Sequence, residues 1–155
     1  MEAKGHDRKF LVCALECFGT ALFIFGILQT SLPISIPFSL MASIIIFGDI
    51  TGGHFNPAVT IGVFTSLGNY SANWFFCLLI IASQFAGGML AIGINWLGSF
   101  GKPDFMTAQL TPTNRVTGMP DNLLGVSGYT MDLQVCLNEV ICTFLFVSVI
   151  LMVKG

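Results

Sequence analysis

Charged side chains are scarce in this chain of 155 residues. Six Lys and Arg and eight Asp and Glu make up 9% of the sequence, whereas about a quarter is typical of a soluble domain. Hydrophobic residues make up 54%. The formal net charge of -2 argues against nucleic-acid binding, which requires a basic surface. The composition is that of an integral membrane protein.

The sequence also lacks the residue clusters that carry enzyme chemistry. Its five cysteines form no Cys-x-x-Cys pair, so we interpret them as small core residues rather than a disulfide or metal framework. It contains no nucleophile–base pair, phosphate-binding loop or metal-ligand cluster. We therefore expect no enzymatic activity, no cofactor and no metal.

Long apolar runs are, by contrast, abundant. Four of them are long enough, or nearly so, for the roughly 20 residues that a helix needs to cross a bilayer. They are residues 10–28, 34–50, 73–97 and 133–153. The first run is too long for a signal peptide and no small-residue cleavage site follows it, so it predicts a retained span.

Two other segments complete the organisation. Residues 58–67 form an apolar run of only half the length of a span, which favours a re-entrant half-helix over a crossing. Residues 99–132 are hydrophilic and contain three prolines, as is typical of an exposed loop. Lys4, Arg8 and Lys9 precede the first span, so the positive-inside rule places both termini in the cytoplasm and this loop outside.

The first and fourth spans share a pattern. Glu16 and Thr20 in the first have the same i, i+4 spacing as Glu139 and Thr143 in the fourth. The predicted topology runs these two spans in opposite directions, which is the pattern of an inverted repeat. The predicted organisation is therefore a cytoplasmic segment, a first repeat of three spans and a re-entrant loop, an extracytoplasmic loop, and the first span of a second repeat. Their bounds are residues 1–9, 10–97, 98–132 and 133–153.

An irregular motif, Gly-Gly-His-Phe-Asn-Pro-Ala-Val-Thr, occupies residues 52–60 between the second span and the half-span. Asn56 is a favourable N-cap and Pro57 suits the first helical position, so we expect the half-helix to begin there. Gly52 and Gly53 permit left-handed backbone. Irregular backbone at membrane depth requires contact with protein or a water-filled cavity. Carbonyl groups, an Asn amide and a positive helix end suit a pore for neutral polar molecules; the alternative is an ordinary capped helix.

This motif looks like the first signature loop of the aquaporin (major intrinsic protein) family of channels for water and small solutes. Further matches are Glu16 with Thr20, Ser83-Gln84 with Gly87-Gly88, and Glu139 with Thr143. The resemblance covers the N-terminal half of a family-length chain and its fourth transmembrane span. The Gly-Gly-His-Phe form and the Ser-Gln-x-x-Gly-Gly-Met-Leu stretch are similar to the aquaporin-8 type, which is associated with ammonia and peroxide as well as water.

The resemblance implies a role for each residue of the motif. Asn56 would donate hydrogen bonds at the pore centre, held there by Pro57 and Ala58. The backbone carbonyls that line the cytoplasmic half of the pore would be those of Gly52, Gly53 and His54. The His54 ring would hold the loop by packing and hydrogen bonding, or would act in gating. Ile36 falls at the outer constriction, where an aliphatic residue implies a wider or more apolar gate.

Two acidic side chains lie within predicted spans. A charge at the centre of a span costs about 2.5–3.5 kcal/mol, so Glu16 and Glu139 are expected to have partners. We expect each carboxylate to anchor irregular pore-loop backbone, with Gln84 in the same network. On this interpretation Glu139 would serve a second loop that this sequence does not contain. The alternative is a proton relay.

The expected fold is therefore all-α and membrane-integral. It is an aquaporin-like right-handed helical bundle, incomplete, with four transmembrane helices and one re-entrant half-helix. We expect a passive channel for water or small neutral solutes such as glycerol, ammonia and hydrogen peroxide. A complete pore would need a second aquaporin half, from the same chain continued or from a separate subunit. The expected partners are the lipid bilayer, the solutes, that second half and, by family resemblance, three further copies in a homotetramer.

Two alternatives come from other functional classes. A non-conducting structural or assembly subunit could retain an aquaporin half-fold. A proton-coupled transporter would use Glu16 and Glu139 as titrating groups.

Overall fold

The computed structural model describes residues 3–29, 32–68, 70–98 and 128–154. These ranges contain five helices and no strand. The helices are α1 (Ala3–Leu28), α2 (Ser35–Thr51), α3 (Pro57–Leu67), α4 (Tyr70–Gly98) and α5 (Gly128–Lys154). The chain divides into two units, Met1–Gly98 and Ser99–Gly155. Helices α1–α4 therefore belong to the first unit and α5 to the second.

The helices extend beyond the apolar runs that predict them. Helix α1 begins at Ala3 rather than at residue 10, and α5 begins at Gly128 rather than at residue 133. Polar residues can continue a helix past the hydrocarbon, because the backbone hydrogen bonds do not depend on apolar side chains. Residues 128–132 of the predicted extracytoplasmic loop are thus helical. Residues 99–127 of that loop lie outside the described residues.

Three of the four predicted spans are confirmed as helices long and apolar enough to cross a membrane. They are Arg8–Leu28, Asn73–Gly98 and Cys136–Val153. The remaining predicted span, residues 34–50, corresponds to α2. This helix has 17 residues, which gives a length of about 26 Å against a hydrocarbon core of about 30 Å. Its crossing therefore stays a prediction. Helix α3, at 11 residues, extends about 16 Å, or half that thickness.

In the first unit α1 lies against both α2 and α4, and α3 packs on α4. Glycines allow the close approaches. A Cβ atom at Gly87 of α4 would overlap the backbone carbonyl of Cys17 in α1. Close backbone contact of this kind is how helices associate in a bilayer, where lipid competes with any purely apolar attraction.

Polar contacts also join these helices. The Gln29 side-chain amide donates to Asn95 Oδ1 at 3.1 Å, which links the ends of α1 and α4. At the other end of the same pair, the Lys9 ammonium lies 5.5 Å from the centroid of the Phe76 ring, a cation–π distance. The two helices are thus tied near both ends.

All five cysteines are free thiols, but they are not uniformly buried. Cys77 is buried and Cys13 and Cys17 are half-buried. Cys136 and Cys142 are exposed on α5. The interpretation of all five as core residues is therefore wrong for these two, because α5 packs on no other described element of its own unit.

Candidate functional site

The connection between α2 and α3 begins with two left-handed glycines. Gly52 has φ 88°, and its N–H donates to the Gly48 carbonyl at 2.8 Å, which closes the last turn of α2. Gly53 has φ 66°, and its N–H donates to Thr51 Oγ1 at 2.9 Å. Glycine adopts positive φ without a steric penalty, which is why a helix commonly ends on it. The loop can therefore turn within two residues.

Among the residues that the structure describes, Phe55 is the one non-glycine residue with positive φ, at 46°. A backbone of this kind costs about 1–3 kcal/mol and persists only where surrounding contacts enforce it. The Phe55 side chain is only 2% exposed, and its ring meets that of Phe47 edge-on, with centroids 6.5 Å apart. Burial of the ring offsets the backbone strain.

Helix α3 begins with the predicted cap. Asn56 has extended backbone, with φ −153° and ψ 127°, and its Oδ1 accepts from the Ala58 N–H at 2.8 Å. Pro57 occupies the first helical position, where its missing N–H is not needed. Among the described residues, the Asn56 amide nitrogen donates to no protein group. The cap thus uses the oxygen of the side chain and leaves its two N–H groups available.

The loop backbone is tied to α1 through one carboxylate. Glu16 is fully buried. Its Oε1 accepts from the His54 N–H at 3.1 Å, and its Oε2 accepts from the Phe55 N–H at 2.8 Å. A third donor, the Gln84 side-chain amide of α4, reaches Oε2 at 2.8 Å. Hydrogen bonds to a carboxylate are shorter and stronger than neutral ones, so the buried charge is well compensated.

Thr60 extends this network into α3. Its Oγ1 accepts from Gln84 Nε2 at 2.9 Å and donates to the Asn56 carbonyl at 3.1 Å. His54 Nδ1 lies 3.3 Å from the same oxygen. Both donors of the Gln84 amide therefore have partners, and the Glu16 carboxylate fixes which way the amide points. Helices α1, α3 and α4 and the loop meet in one hydrogen-bonded cluster.

The structure brings most of the sequence-predicted site residues together. Glu16, His54, Asn56 and Gln84 belong to this cluster, and Gly52, Gly53, Pro57 and Ala58 flank them. Ile36 does not belong to it. Ile36 is 47% exposed near the start of α2, about 22 Å along the helix from Thr51. Glu139 is exposed on α5 in the other unit.

Two members of the site were missed by sequence reasoning. Thr60 lies four residues after Asn56, and that helical spacing could have indicated that its hydroxyl reaches the Asn56 carbonyl. No local signal could have indicated the positive φ of Phe55, because phenylalanine seldom adopts it.

Comparisons of the sequence with known proteins identify the family of this chain. Residues 8–154 match the model of the family described as major intrinsic protein. The chain is similar to aquaporin-8 of Rattus norvegicus, with 35% identity over 105 residues that cover 57% of this chain and 37% of that protein. The match thus spans little more than a third of the length of this curated relative. No solved structure matches.

These matches agree with the signature loop and the aquaporin-8 likeness seen in the sequence. With three helices long and apolar enough to cross a bilayer, they identify an integral membrane protein. The family match covers residues 8–154 of 155, and the chain therefore belongs to the major intrinsic protein family.

Proposed function

We propose that this protein forms part of a passive membrane channel for water or small neutral solutes, with residues 52–56 lining the path. One observation carries the proposal. The Asn56 side chain is held by its oxygen at the N-terminus of α3, and its two amide N–H groups remain available to a passing molecule. A fixed donor at the positive end of a helix favours an oxygen atom and disfavours a cation.

The proposed path alternates acceptors and a donor. The carbonyls of Gly52, Gly53 and His54 act as acceptors, since each carbonyl oxygen has two lone pairs. Asn56 then donates to a lone pair of the molecule that leaves them, on oxygen in water, glycerol and hydrogen peroxide and on nitrogen in ammonia. Solutes in reach of this chemistry are water, glycerol, ammonia and hydrogen peroxide. Each of these solutes is neutral, so its passage does not require a charge to enter the bilayer core.

Glu16 and Gln84 anchor the pore loop in this proposal. Three donors engage the Glu16 carboxylate, which favours anchoring over a proton relay and hence a channel over a proton-coupled transporter. The contact between the His54 ring and Thr60 favours a holding role for the ring over gating. By the shared Glu–Thr spacing, we propose that Glu139 anchors a second loop in the same manner. Ile36 remains our candidate for the outer constriction.

The proposed architecture has four crossing helices with α3 re-entering halfway. The length of α3, about 16 Å against a hydrocarbon core of about 30 Å, supports the half-crossing. The basic residues Arg8 and Lys9 at the start of the first span support a cytoplasmic N-terminus. We propose that a second aquaporin half completes the pore, and that complete pores assemble as homotetramers.

Stopped-flow light scattering of vesicles tests conduction. The assembly that forms around the tagged chain is purified in mild detergent, reconstituted, and exposed to an osmotic step beside empty vesicles. The matched variant is Asn56→Asp, which keeps the capping oxygen but replaces the amide donors by negative charge. We expect fast shrinkage that the variant slows. A folded assembly no more permeable than lipid refutes the channel and favours the non-conducting assembly subunit.

The 155-residue chain, reconstituted alone, tests the need for a second half. Permeability equal to that of lipid alone is expected. Shrinkage as fast as that of the complete assembly would contradict the proposed requirement while leaving the channel in place.

A further inference from the structure

The ring of Phe55 occupies a space that exists because residue 19 has no side chain. A Cβ atom at Gly19 would overlap Cε1 of Phe55 and would lie 2.6 Å from Cδ1 and 2.7 Å from Cζ. Such separations are too short for carbon atoms in contact, whose optimum is about 3.5–4.0 Å. Gly19 of α1 and Phe47 of α2 therefore form a seat for this ring, and we call them the Phe55 seat.

Hydrogen bonds to residues of α1 and α2 hold the Phe55 seat in place. Ser43 of α2 is fully buried, and its hydroxyl donates to the Gly19 carbonyl at 2.9 Å. Glu16 lies one helical turn before Gly19 and accepts from the Phe55 N–H. One face of α1 thus holds Phe55 twice, by its backbone at Glu16 and by its ring at Gly19.

We propose that Phe55 is a positioning residue, which sets the depth of Asn56 by the fit of its ring in the Phe55 seat. The reason is its backbone. Left-handed φ is unfavourable for phenylalanine, so the peptide relaxes toward extended backbone once the ring leaves the seat. Asn56 is the next residue, and its N–H groups then move relative to the carbonyls before it. The consequence for conduction rests on the proposed function, whereas the fit itself does not.

Hydrogen exchange tests the fit without reference to conduction. The chain in lipid nanodiscs is followed by mass spectrometry at the amides of His54 and Phe55, which Glu16 protects. Gly19→Ala fills the seat. Overpacking costs enough to make exchange at these two amides about tenfold faster. The matched control is Gly88→Ala, since a Cβ at Gly88 meets nothing within 4 Å, and it leaves both rates unchanged.

A double variant separates the seat from a general loss of stability. Leucine lacks the Cε1 and Cζ atoms that the new methyl group would strike, and its Cδ methyl groups can rotate away from that group. Gly19→Ala with Phe55→Leu therefore restores slow exchange to within about threefold of the native rate. If Gly19→Ala does not fold, Phe55→Ala empties the seat without adding atoms to α1 and accelerates the same amides. Unchanged exchange in Gly19→Ala or Phe55→Ala, or a double variant no slower than Gly19→Ala, overturns the seat.

Water permeability of the complete assembly supplies the second measurement. Gly19→Ala lowers it and the double variant restores it. Faster exchange with unchanged permeability in a conducting assembly refutes the positioning role. A native assembly that conducts nothing refutes the proposed function instead, and the exchange experiment still decides whether the seat exists.

Discussion

Replacement of Glu16 by glutamine isolates the contribution of a single carboxylate to the stability of the loop between α2 and α3. The three donors reach both oxygens, one at Oε1 and two at Oε2. A glutamine side chain offers one oxygen and one amide nitrogen. Its better orientation places the oxygen where Oε2 lies and keeps two bonds, but turns its nitrogen toward the His54 N–H. That N–H then loses the acceptor that Glu16 provides in a part-buried hydrogen bond.

The expected loss of stability follows from the number of hydrogen bonds that each variant loses. A fully buried donor left without a partner costs about 1–3 kcal/mol, so we expect the loss of this part-buried bond to cost no more than that. Glu16→Ala removes all three acceptor contacts, so we expect it to cost several times as much, less whatever entering water recovers. Thermal unfolding of the purified chain in detergent, followed by fluorescence, measures stability. We expect the unfolding temperature to fall from the native chain to Glu16→Gln and further to Glu16→Ala. Exchange at the amides of His54 and Phe55 reports the local loss.

The matched control is Glu139→Gln, which makes the same chemical change within another apolar helix. Glu139 is exposed in its own unit, so we expect an effect within about 0.5 kcal/mol or a small stabilisation from removal of the charge. A Glu16→Gln variant as stable as the native chain, with unchanged exchange at both amides, would refute the anchoring role and leave the cost of the buried charge unexplained.

Three further predictions concern the same unit. Gly87→Ala forces α1 and α4 apart, since its methyl group would overlap a backbone carbonyl. We expect it to lower the unfolding temperature, whereas the control Gly88→Ala does not. Equal unfolding temperatures of the two variants would contradict the close approach of α1 and α4. Thr60→Val keeps the shape of the side chain but removes the acceptor of one N–H of the buried Gln84 amide. We expect it to destabilise the chain by about 1–3 kcal/mol. An unchanged midpoint in denaturant titration in mixed micelles would refute the network. Asn56→Ala loses the cap of α3 and costs about 1 kcal/mol, whereas Asn56→Asp keeps it; the same titration contradicts the capping role if the two variants unfold alike.

The start of α3 could be predicted from the sequence because its cause is local. Asn56 and Pro57 are adjacent to the helix they begin, and the capping bond spans two residues. The long spans follow for a similar reason, since about 20 consecutive apolar residues in lipid have to satisfy their own backbone groups. The exact ends of α1 and α5 did not follow, because a helix can continue through polar residues outside the hydrocarbon.

What the sequence by itself determined is thus the membrane class of this protein, its long helices and the capped short helix α3. The sequence also predicted that Glu16 anchors irregular loop backbone together with Gln84, and only the tertiary structure decided which atoms these buried groups contact. Glu16 meets the N–H groups of His54 and Phe55 across 38 and 39 residues, and Gln84 meets Thr60 across 24. The tertiary structure also decided the left-handed backbone of Phe55, because phenylalanine by itself prefers negative φ. The physical reason is the same in each case: a buried charge and a buried ring adopt the partners that helix packing brings to them, and no spacing along the chain encodes that packing.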